Sequence, residues 1–315
     1  MNEQGNLLLA IVLSLLILLG FQFFFENPNM KKEVSQKNHS NQNTDLRENY
    51  PDIEESVTGY LDLNEALNKD KRVRIDSSRL KGSVSLKGLK IDDLTLKDYK
   101  KKLDDDDSRV TLFKPSLTKG GYFSNFGWIK SSSNENFDLP GDQTVWETNT
   151  KKITNNNSAL FSWTNNQGIK FEQEISIDDD FMFTIKQRVI NNSDDSINLI
   201  PVAKISRTDT PKTQGFFILH EGPIGVVNDV LEEMDYKDLK KNIKPIEYNS
   251  KGGWFGITDK YWLATLIPDQ NSNVIARYLF YSKNNKEKYQ VDYKGGVIEV
   301  PSNKSVSIQN LLYAG

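Results

Sequence analysis

Residues 7–25, LLLAIVLSLLILLGFQFFF, form an apolar run that carries no charged side chain. At a rise of about 1.5 Å per residue, a helix of this length spans about 29 Å, which is close to the hydrocarbon thickness of a bilayer. A helix also satisfies its own backbone polar groups in lipid. We therefore predict one transmembrane helix over 7–25, preceded by a short N-terminus at 1–6.

A cleaved signal peptide is the alternative interpretation of this run. Such a peptide has positive charge before its apolar stretch and a small-residue cleavage site after it. The preceding residues, MNEQGN, include Glu3 and no Lys or Arg, and the run ends without an Ala-x-Ala pattern. We therefore predict a retained anchor. Because Lys31 and Lys32 follow the span, the positive-inside rule alone would keep the remainder of the chain in the cytoplasm.

The charge balance and the absence of cysteine exclude several classes of function. The chain has 40 Lys and Arg residues against 43 Asp and Glu residues. A chain so close to neutrality is not expected to bind nucleic acid or to present a polybasic face to lipid. Disulfides, thiolate metal sites and thiol catalysis are excluded because there is no cysteine.

The segment after the apolar run is polar. Residues 26–56 are rich in Asn, Gln, Ser, Lys and Glu, and a β-rich pattern begins at about Arg72. We predict a flexible tether over 26–71 and a folded domain over 72–315. His39 lies in the tether, and we interpret it as a solvated linker residue.

From Arg72 onward, short β-rich runs are separated by Gly, Asn, Asp or Pro, which is typical of a β-sandwich or barrel. We predict a mainly β fold with one or two short helices. The clearest hairpin joins 171–177 to 181–190. If Ile177 lies opposite Phe181, then Glu172 lies opposite Lys186 and the apolar side chains share one face.

Two acidic runs, 178–180 and 104–107, raise the alternative of a calcium loop. Both lack the alternating acids and the closing Glu of an EF-hand loop. We predict a solvated turn at each.

Residues 227–244 place Val230, Leu231 and Met234 at helical spacing, so we predict a short helix there. Two further strand pairs are predicted near the end of the sequence. They join 273–282 to 288–294, and 296–301 to 305–315.

Residues 251–268 read as an apolar hairpin that turns at 258–260. Both runs are apolar on their two faces, which is expected of strands buried on both sides. Its aromatic side chains are predicted to be core residues, with a ligand-stacking platform as the alternative. They are Trp254, Phe255, Tyr261 and Trp262.

No catalytic, cofactor-binding or metal-binding residue is predicted. The sequence has no P-loop, nucleophile elbow, dinucleotide fingerprint or HExxH zinc motif. His220 and Glu221 are adjacent and could act as acid and base, but neighbours in a strand point to opposite faces. We predict a structural histidine at a strand end before a turn at Gly222 and Pro223. Carboxylate pairs for glycoside hydrolysis stay open, because many acids are present.

Several blocks resemble the large periplasmic domain of the YidC-type membrane protein insertases, in their alphaproteobacterial form, and the opening MNEQGNLLLAIVLS resembles that family's first transmembrane segment. The blocks occur in order over about residues 72–315. They are RVRIDSSRLKGSVSLKGLKIDDLTLKDYK, GGYFSNFGWI, LPGDQTVW, ISIDDDFMFTI, ISRTDTPKTQGFFILHEGPIGV, EMDYKDLKK and KGGWFGITDKYWLATLIPDQ.

The resemblance implies a large twisted β-supersandwich of galactose-mutarotase-like shape, behind an N-in span in the bacterial inner membrane. Residues 1–6 would then be cytoplasmic, and the tether and the domain would be periplasmic. This orientation is the opposite of the one that the positive-inside rule gives from Lys31 and Lys32. Family members continue into a bundle of five further spans with a hydrophilic groove that lowers the cost of moving polar groups through lipid. We expect this chain to be truncated before that bundle.

Three functions are therefore considered. The first is a non-enzymatic domain of an insertase or chaperone, with the bilayer, the Sec translocon with its accessory subunits, and nascent membrane proteins as the implied partners. The alternative is a membrane-anchored carbohydrate-binding or mutarotase-like enzyme, although fold does not confer function. The third is a groove that holds a peptide or polymer without catalysis.

Overall fold

The computed structural model describes residues 12–15, 59–101, 108–212, 219–242, 244–283 and 286–315. The chain divides into two compact units, 1–44 and 45–315. In the first unit the four described residues are helical and exposed, and the rest of the predicted span over 7–25 lies outside the described residues. Among the described residues no helix has the length and apolar character needed to cross a bilayer.

The described part of the second unit is mainly β. Its elements, in chain order, are α1 (Leu63–Asn68), β1 (Arg72–Asp76), β2 (Leu80–Ser85), β3 (Lys90–Lys100), β4 (Arg109–Phe113), β5 (Tyr122–Lys130), β6 (Lys152–Ile153), β7 (Ala159–Thr164), β8 (Ile169–Ile177), β9 (Met182–Asn191), β10 (Ile197–Thr208), β11 (Gly222–Val227), β12 (Val230–Glu233), α2 (Tyr236–Lys241), β13 (Ile246–Lys251), β14 (Trp254–Thr258), β15 (Leu263–Ile267), β16 (Asn273–Lys283), β17 (Lys286–Lys294), β18 (Ile298–Val300) and β19 (Lys304–Ala314).

Within the described residues the strands form two sheets. The large sheet has the order β13-β16-β17-β10-β5-β3-β2-β1-β6, with β18 also paired to β10 and β4 to β3. The small sheet has the order β12-β11-β14-β15-β19-β9-β8-β7. All pairs are antiparallel except the short pair of β1 with β6. This architecture confirms the predicted mainly β fold with short helices.

The hydrophobic core lies between the two sheets. Along central strands such as β8 and β9, apolar side chains alternate with the period of two, and the inward set is almost fully buried. Phe171, Phe183 and Phe255 of the small sheet and Tyr289 and Tyr293 of the large sheet are at most 2% exposed. The largest apolar side chains therefore sit where the two sheets face each other.

The predicted hairpin of β8 and β9 forms, but its register was wrong by two residues. Ile177 pairs with Phe183, and Glu172 lies opposite Arg188. Phe181 adopts a left-handed backbone conformation (φ 67°), and the Asp178 carboxylate accepts hydrogen bonds within the turn, so the loop is longer than predicted. A shift of two residues preserves the faces, and the predicted apolar side chains are buried.

The predicted helix over 227–244 was wrong in its first half. Residues Val230–Glu233 form strand β12, which pairs with β11, and only Tyr236–Lys241 are helical. Asn228 and Asp229 both have positive φ (47° and 65°), which is the backbone of a type I′ hairpin turn. This turn reverses the chain before a helix can begin.

The hairpin of β14 and β15 is confirmed, as is the pairing of β16 with β17. The predicted pairing of 296–301 with 305–315 was wrong. β18 pairs with β10 in the large sheet, whereas β19 pairs with β9 and β15 in the small sheet. The turn between them carries the chain from one sheet to the other.

Residues 59–71, assigned to the predicted tether, are ordered against the body. Helix α1 begins after Asp62, whose side chain accepts a hydrogen bond from the Asn64 amide, and its Ala66 is buried. The Tyr60 hydroxyl donates to Asp209 at 2.6 Å. The folded body therefore extends to the N-terminal side of Arg72.

Candidate functional site

The outer face of the large sheet, which is turned away from the small sheet, is polar and yet buried. On β17, Lys288, Gln290 and Asp292 alternate with the inward core residues and are at most 3% exposed. On the neighbouring β10, Lys204 and Ser206 are equally buried. Burying a charged group costs free energy unless the group is paired. The partners of these side chains therefore determine which of them are available to bind another molecule.

A bidentate ion pair holds the β16 side of this face. Nε and one terminal nitrogen of Arg277 donate to the two carboxylate oxygens of Asp292 at 2.8 and 2.7 Å. The side-chain amide of Gln290 donates to the same carboxylate at 2.5 Å. Three N–H groups thus hydrogen-bond the Asp292 carboxylate, and the bidentate pair fixes its position within the sheet.

The other side of the face opens into a cleft of about 580 Å³ between β5, β10 and the loop that follows β5. The Asp142 carboxylate lies 3.6 Å from Lys90 Nζ and 3.8 Å from Lys204 Nζ. Both ammonium groups also lie over the Phe123 ring, at 5.1 and 5.9 Å from its centroid. The cleft is lined by Gly88, residues 125–130, Ser132, Ser133, residues 139–142, Trp146, Gln173 and residues 202–204.

The strand geometry explains why the cleft forms here. Asn125 and Gly127 face outward on β5, opposite Lys204 and Val202 of β10. A side chain on Gly127 would meet only Val202, so the absence of one leaves open space above the sheet. Lys204 and Asp142 line the cleft together with an apolar floor, and Lys90 lies beside Asp142.

A second buried pair lies at the edge of this face. Asp92 accepts from Arg72, and burial raises the pKa of the Asp92 carboxyl, with the Arg72 charge acting in the opposite direction. The acids of this face that we have described each have a cationic partner. Among the described residues, no group of three His, Asp or Glu side chains could hold a metal ion.

His220 precedes strand β11 instead of ending a strand, and Gly222 and Pro223 lie within β11 instead of forming a turn. Its Nε2 lies 2.9 Å from the Pro223 carbonyl oxygen, and its Nδ1 lies 3.6 Å from Asp235. These contacts hold the ring between the start of β11 and the residue that precedes α2, and His220 is not among the residues that line the cleft. His220 therefore lies outside the cleft.

The acidic turn 178–180 is engaged by neighbouring residues. Asp178 accepts from the amides of Asp180 and Met182, and Asp179 accepts from Ser78 at 2.7 Å. These contacts are those of a loop closed by its own side chains. Residues 104–107 and His39 lie outside the described residues.

The aromatic residues of the β14–β15 hairpin divide between core and surface. Phe255 is fully buried, as predicted, and Trp254 is partly buried. Tyr261 is 68% exposed, so the core prediction was wrong for it, because it lies in the turn. Trp262 packs edge-on against Tyr99 with 4.9 Å between ring centroids.

Lys204, Asp142 and Arg277 were not identified from the sequence. The alternation of KYQVDYK, residues 288–294, carries a usable signal, since every second residue is polar or charged. That pattern predicts that the polar residues of 288–294 form a solvent-exposed face of the strand. The burial of the polar set depends on the loop after β5 and on neighbouring strands, which periodicity does not reveal.

Comparison with known proteins identifies relatives along the whole chain. Residues 72–315 match the family described as the YidC periplasmic domain. Proteins named membrane protein insertase YidC from Rickettsia bellii and Rickettsia rickettsii are each 36% identical, over 318 and 314 residues. Each alignment covers 100% of this chain and 55% of the relative, so the chain spans about half the length of the curated relatives it matches.

Solved structures share the fold at low identity. A galactose mutarotase-like protein from Lactobacillus casei aligns with a TM-score of 0.52 at 9% identity, covering 78% of this chain and 100% of that one. A galactose mutarotase related enzyme from Lactobacillus acidophilus gives a TM-score of 0.51 at 10% identity, covering 78% of this chain and 97% of that one. These likenesses support the predicted supersandwich fold alone.

Proposed function

Because the chain belongs to the YidC periplasmic-domain family, we propose that it is the periplasmic part of a membrane protein insertase. The observation that carries this proposal is the family match over 72–315, together with 36% identity along the whole chain to proteins named as insertases. The domain acts through protein contacts and catalyses no covalent reaction.

In this proposal residues 7–25 anchor the chain in the bacterial inner membrane with residues 1–6 in the cytoplasm. The tether and the domain lie in the periplasm. The domain contacts nascent membrane proteins and the Sec translocon with its accessory subunits. Insertion itself belongs to the transmembrane bundle that the resemblance implies for longer family members.

The cleft on the large sheet is a suitable contact surface for a polypeptide. Its open floor above Gly127 accepts an apolar side chain, and Lys204 and Asp142, which line it, can bind polar or charged groups. A segment leaving a translocation channel presents both kinds of group. The mixed character of the cleft supports a protein partner.

Site-specific photo-cross-linking tests this proposal. The full chain in inner-membrane vesicles would carry a photoreactive residue at Ser133, which lines the cleft, or at exposed Asn303 as the matched control. A radiolabelled single-span membrane protein is then translated in the presence of the vesicles. We expect labelled adducts from position 133 and few from 303. Equal adducts from both positions, or none from either, would contradict the proposal.

A carbohydrate-active domain is the second candidate, and the supersandwich fold favours it. The described residues argue against it, because His220 lies outside the cleft and the Asp292 carboxylate is hydrogen-bonded by Arg277 and Gln290. Titration with galactose, followed by tryptophan fluorescence, separates the two candidates. Saturable binding that depends on His220 would favour the carbohydrate function.

A further inference from the structure

Strand β19 is paired along one side and only partly along the other. It pairs with β9 from Lys304 to Tyr313, but with β15 only from Leu311 to Ala314. Among the described residues, no strand pairs with Lys304–Asn310 on the β15 side. The middle of the small sheet therefore contains a length of open strand edge.

The direction of the backbone groups on this edge follows from the existing hydrogen bonds. Gly315 exchanges N–H···O bonds with Leu263 at 2.8 and 3.1 Å, whereas the Ala314 amide donates to Phe181 beside β9. Because bonding alternates along an antiparallel strand, odd-numbered residues direct their amide and carbonyl groups toward β15. Ser305, Ser307 and Gln309 thus direct theirs into the open side.

The open edge exists because β15 leaves the sheet early. Pro268 follows the last paired residue of β15, and the Asp269 carbonyl then accepts from the Ser272 amide at 3.0 Å. The Asp269 side chain also accepts from the Asn271 amide at 2.7 Å. This turn carries the chain to β16 in the large sheet and leaves the ladder beside β19 unfilled.

The space beside the edge is a groove of about 800 Å³, which we call the β19 notch. It is lined by residues 307–310 of β19, by residues 268, 269 and 272–274 after β15, and by residues 295–298 beside β18. Side chains of β7, β8 and β9 extend the lining on the other side of β19. Val297, which lines it beside β18, is 61% exposed. Gly296 leaves its rim open, since a Cβ there would meet nothing within 4 Å.

We propose that the β19 notch binds an extended polypeptide segment, which adds to the edge of β19 as a strand in the place that β15 vacates. The odd-numbered backbone groups supply amide donors and carbonyl acceptors at strand spacing. Strand β15 already occupies the same edge beside Leu311–Ala314, so the notch continues an existing β ladder. The exposed Val297 side chain can contact an apolar side chain of the guest.

This inference rests on the proposed function only for the identity of the natural partner, a nascent or translocating protein segment. Its geometry is independent of the cleft on the large sheet. A carbohydrate polymer or a second copy of this chain would be a different occupant, and the experiment below separates both from a peptide strand.

The test measures binding of a short, fluorescent, acetylated peptide of alternating threonine and valine to the full chain in detergent. Ser307→Pro removes an amide that points into the notch and leaves the β9 side paired, as edge prolines do. We expect this variant to raise the Kd by at least about tenfold. Ser307→Ala, the matched control, removes only a side chain and should change the Kd by less than about twofold.

The outcomes are distinguishable. Circular dichroism establishes that both variants fold, and Gly296→Trp, which fills the rim, provides a second blocking variant that leaves β19 intact. No saturable binding up to about 1 mM, or equal losses for the proline and alanine variants, would overturn the proposal. Binding that appears only as self-association in sedimentation would assign the notch to a second copy, and competition by a polysaccharide would assign it to carbohydrate. Cross-linking from Ser133 would be unaffected in either case.

Discussion

At the scale of single residues, Arg207 shows how the end of β10 is held. Its guanidinium donates to Asp259 at 2.6 Å and to the Tyr236 hydroxyl at 3.2 Å, and it lies 4.8 Å from the centroid of the Tyr122 ring. Burial disfavours its charge, but Tyr236, Asp259 and Tyr122 outweigh burial and keep the pKa of Arg207 above its ordinary value. One cation therefore joins both sheets and helix α2.

Asp259→Asn removes the only formal anion among these partners. We expect the free energy of unfolding to fall by about 2–4 kcal/mol, because the variant leaves a buried cation without its counter-charge. Urea unfolding of the full chain in detergent measures the loss. Glu299→Gln, at an exposed strand position, should change it by less than about 0.5 kcal/mol. Similar values for both variants would contradict the assigned role of Asp259.

Asp76 gives a residue-level pH dependence. Hydrogen bonds from Lys152 and Lys97 lower the pKa of its carboxyl from 3.8 to about 2. Since the folded pKa is depressed, the stabilisation is complete above the ordinary pKa and is lost as the pH falls through the folded value. We expect the urea midpoint to fall between about pH 4 and pH 2 more steeply in the wild type than in Asp76→Asn. Equal slopes in the wild type and in Asp76→Asn would contradict this role of Asp76.

At the level of helices and strands, the residues of one turn determined the structure of a segment whose apolar spacing predicted a helix. The spacing of Val230, Leu231 and Met234 fits a helix, yet Asn228 and Asp229 fold the chain into the β11–β12 hairpin. Asn228 reinforces the turn, because its side chain donates to the Asn249 carbonyl and accepts from the Lys251 amide.

Asp229 is exposed with a φ of 65°, so glycine should fit this position better than any side chain. We expect Asp229→Gly to raise the free energy of unfolding by about 0.5–1 kcal/mol. Asp229→Val should lower it by about 1–2 kcal/mol, because a β-branched residue is strained in the left-handed region. Thermal unfolding of the two variants measures the difference, and a gain in stability with valine would contradict the turn assignment.

The same contrast between hydrophobic periodicity and local contacts explains how much of the fold could be predicted from the sequence. The β-rich pattern identified strands such as β8, β9 and β14–β19, but it did not identify β12, which was predicted as part of a helix. It could not decide that β18 joins β10 while β19 joins β9, because both pairings satisfy the pattern. The cleft was missed because Asp142 meets Lys90 and Lys204 only after distant segments fold together. The β19 notch likewise depends on where β15 leaves the sheet.

At the scale of the whole molecule, the orientation in the membrane is a direct consequence of the proposed function. The chain has no cysteine, so a single introduced cysteine reports its own exposure. Lys304→Cys lies at an exposed position of β19. We expect a membrane-impermeant maleimide to label it in spheroplasts and not in sealed inverted vesicles. Labelling confined to inverted vesicles would contradict a periplasmic domain.

Residue-resolved hydrogen exchange tests whether this domain binds polypeptide segments. The full chain in nanodiscs is compared with and without a stalled nascent chain of a single-span membrane protein. Without it, the amides of Ser305, Ser307 and Gln309 should exchange much faster than those of Val306 and Ile308, which are bonded to β9. With it, we expect slower exchange at these three odd-numbered amides. Unchanged exchange there and along the cleft, despite nascent-chain binding, would contradict this expectation.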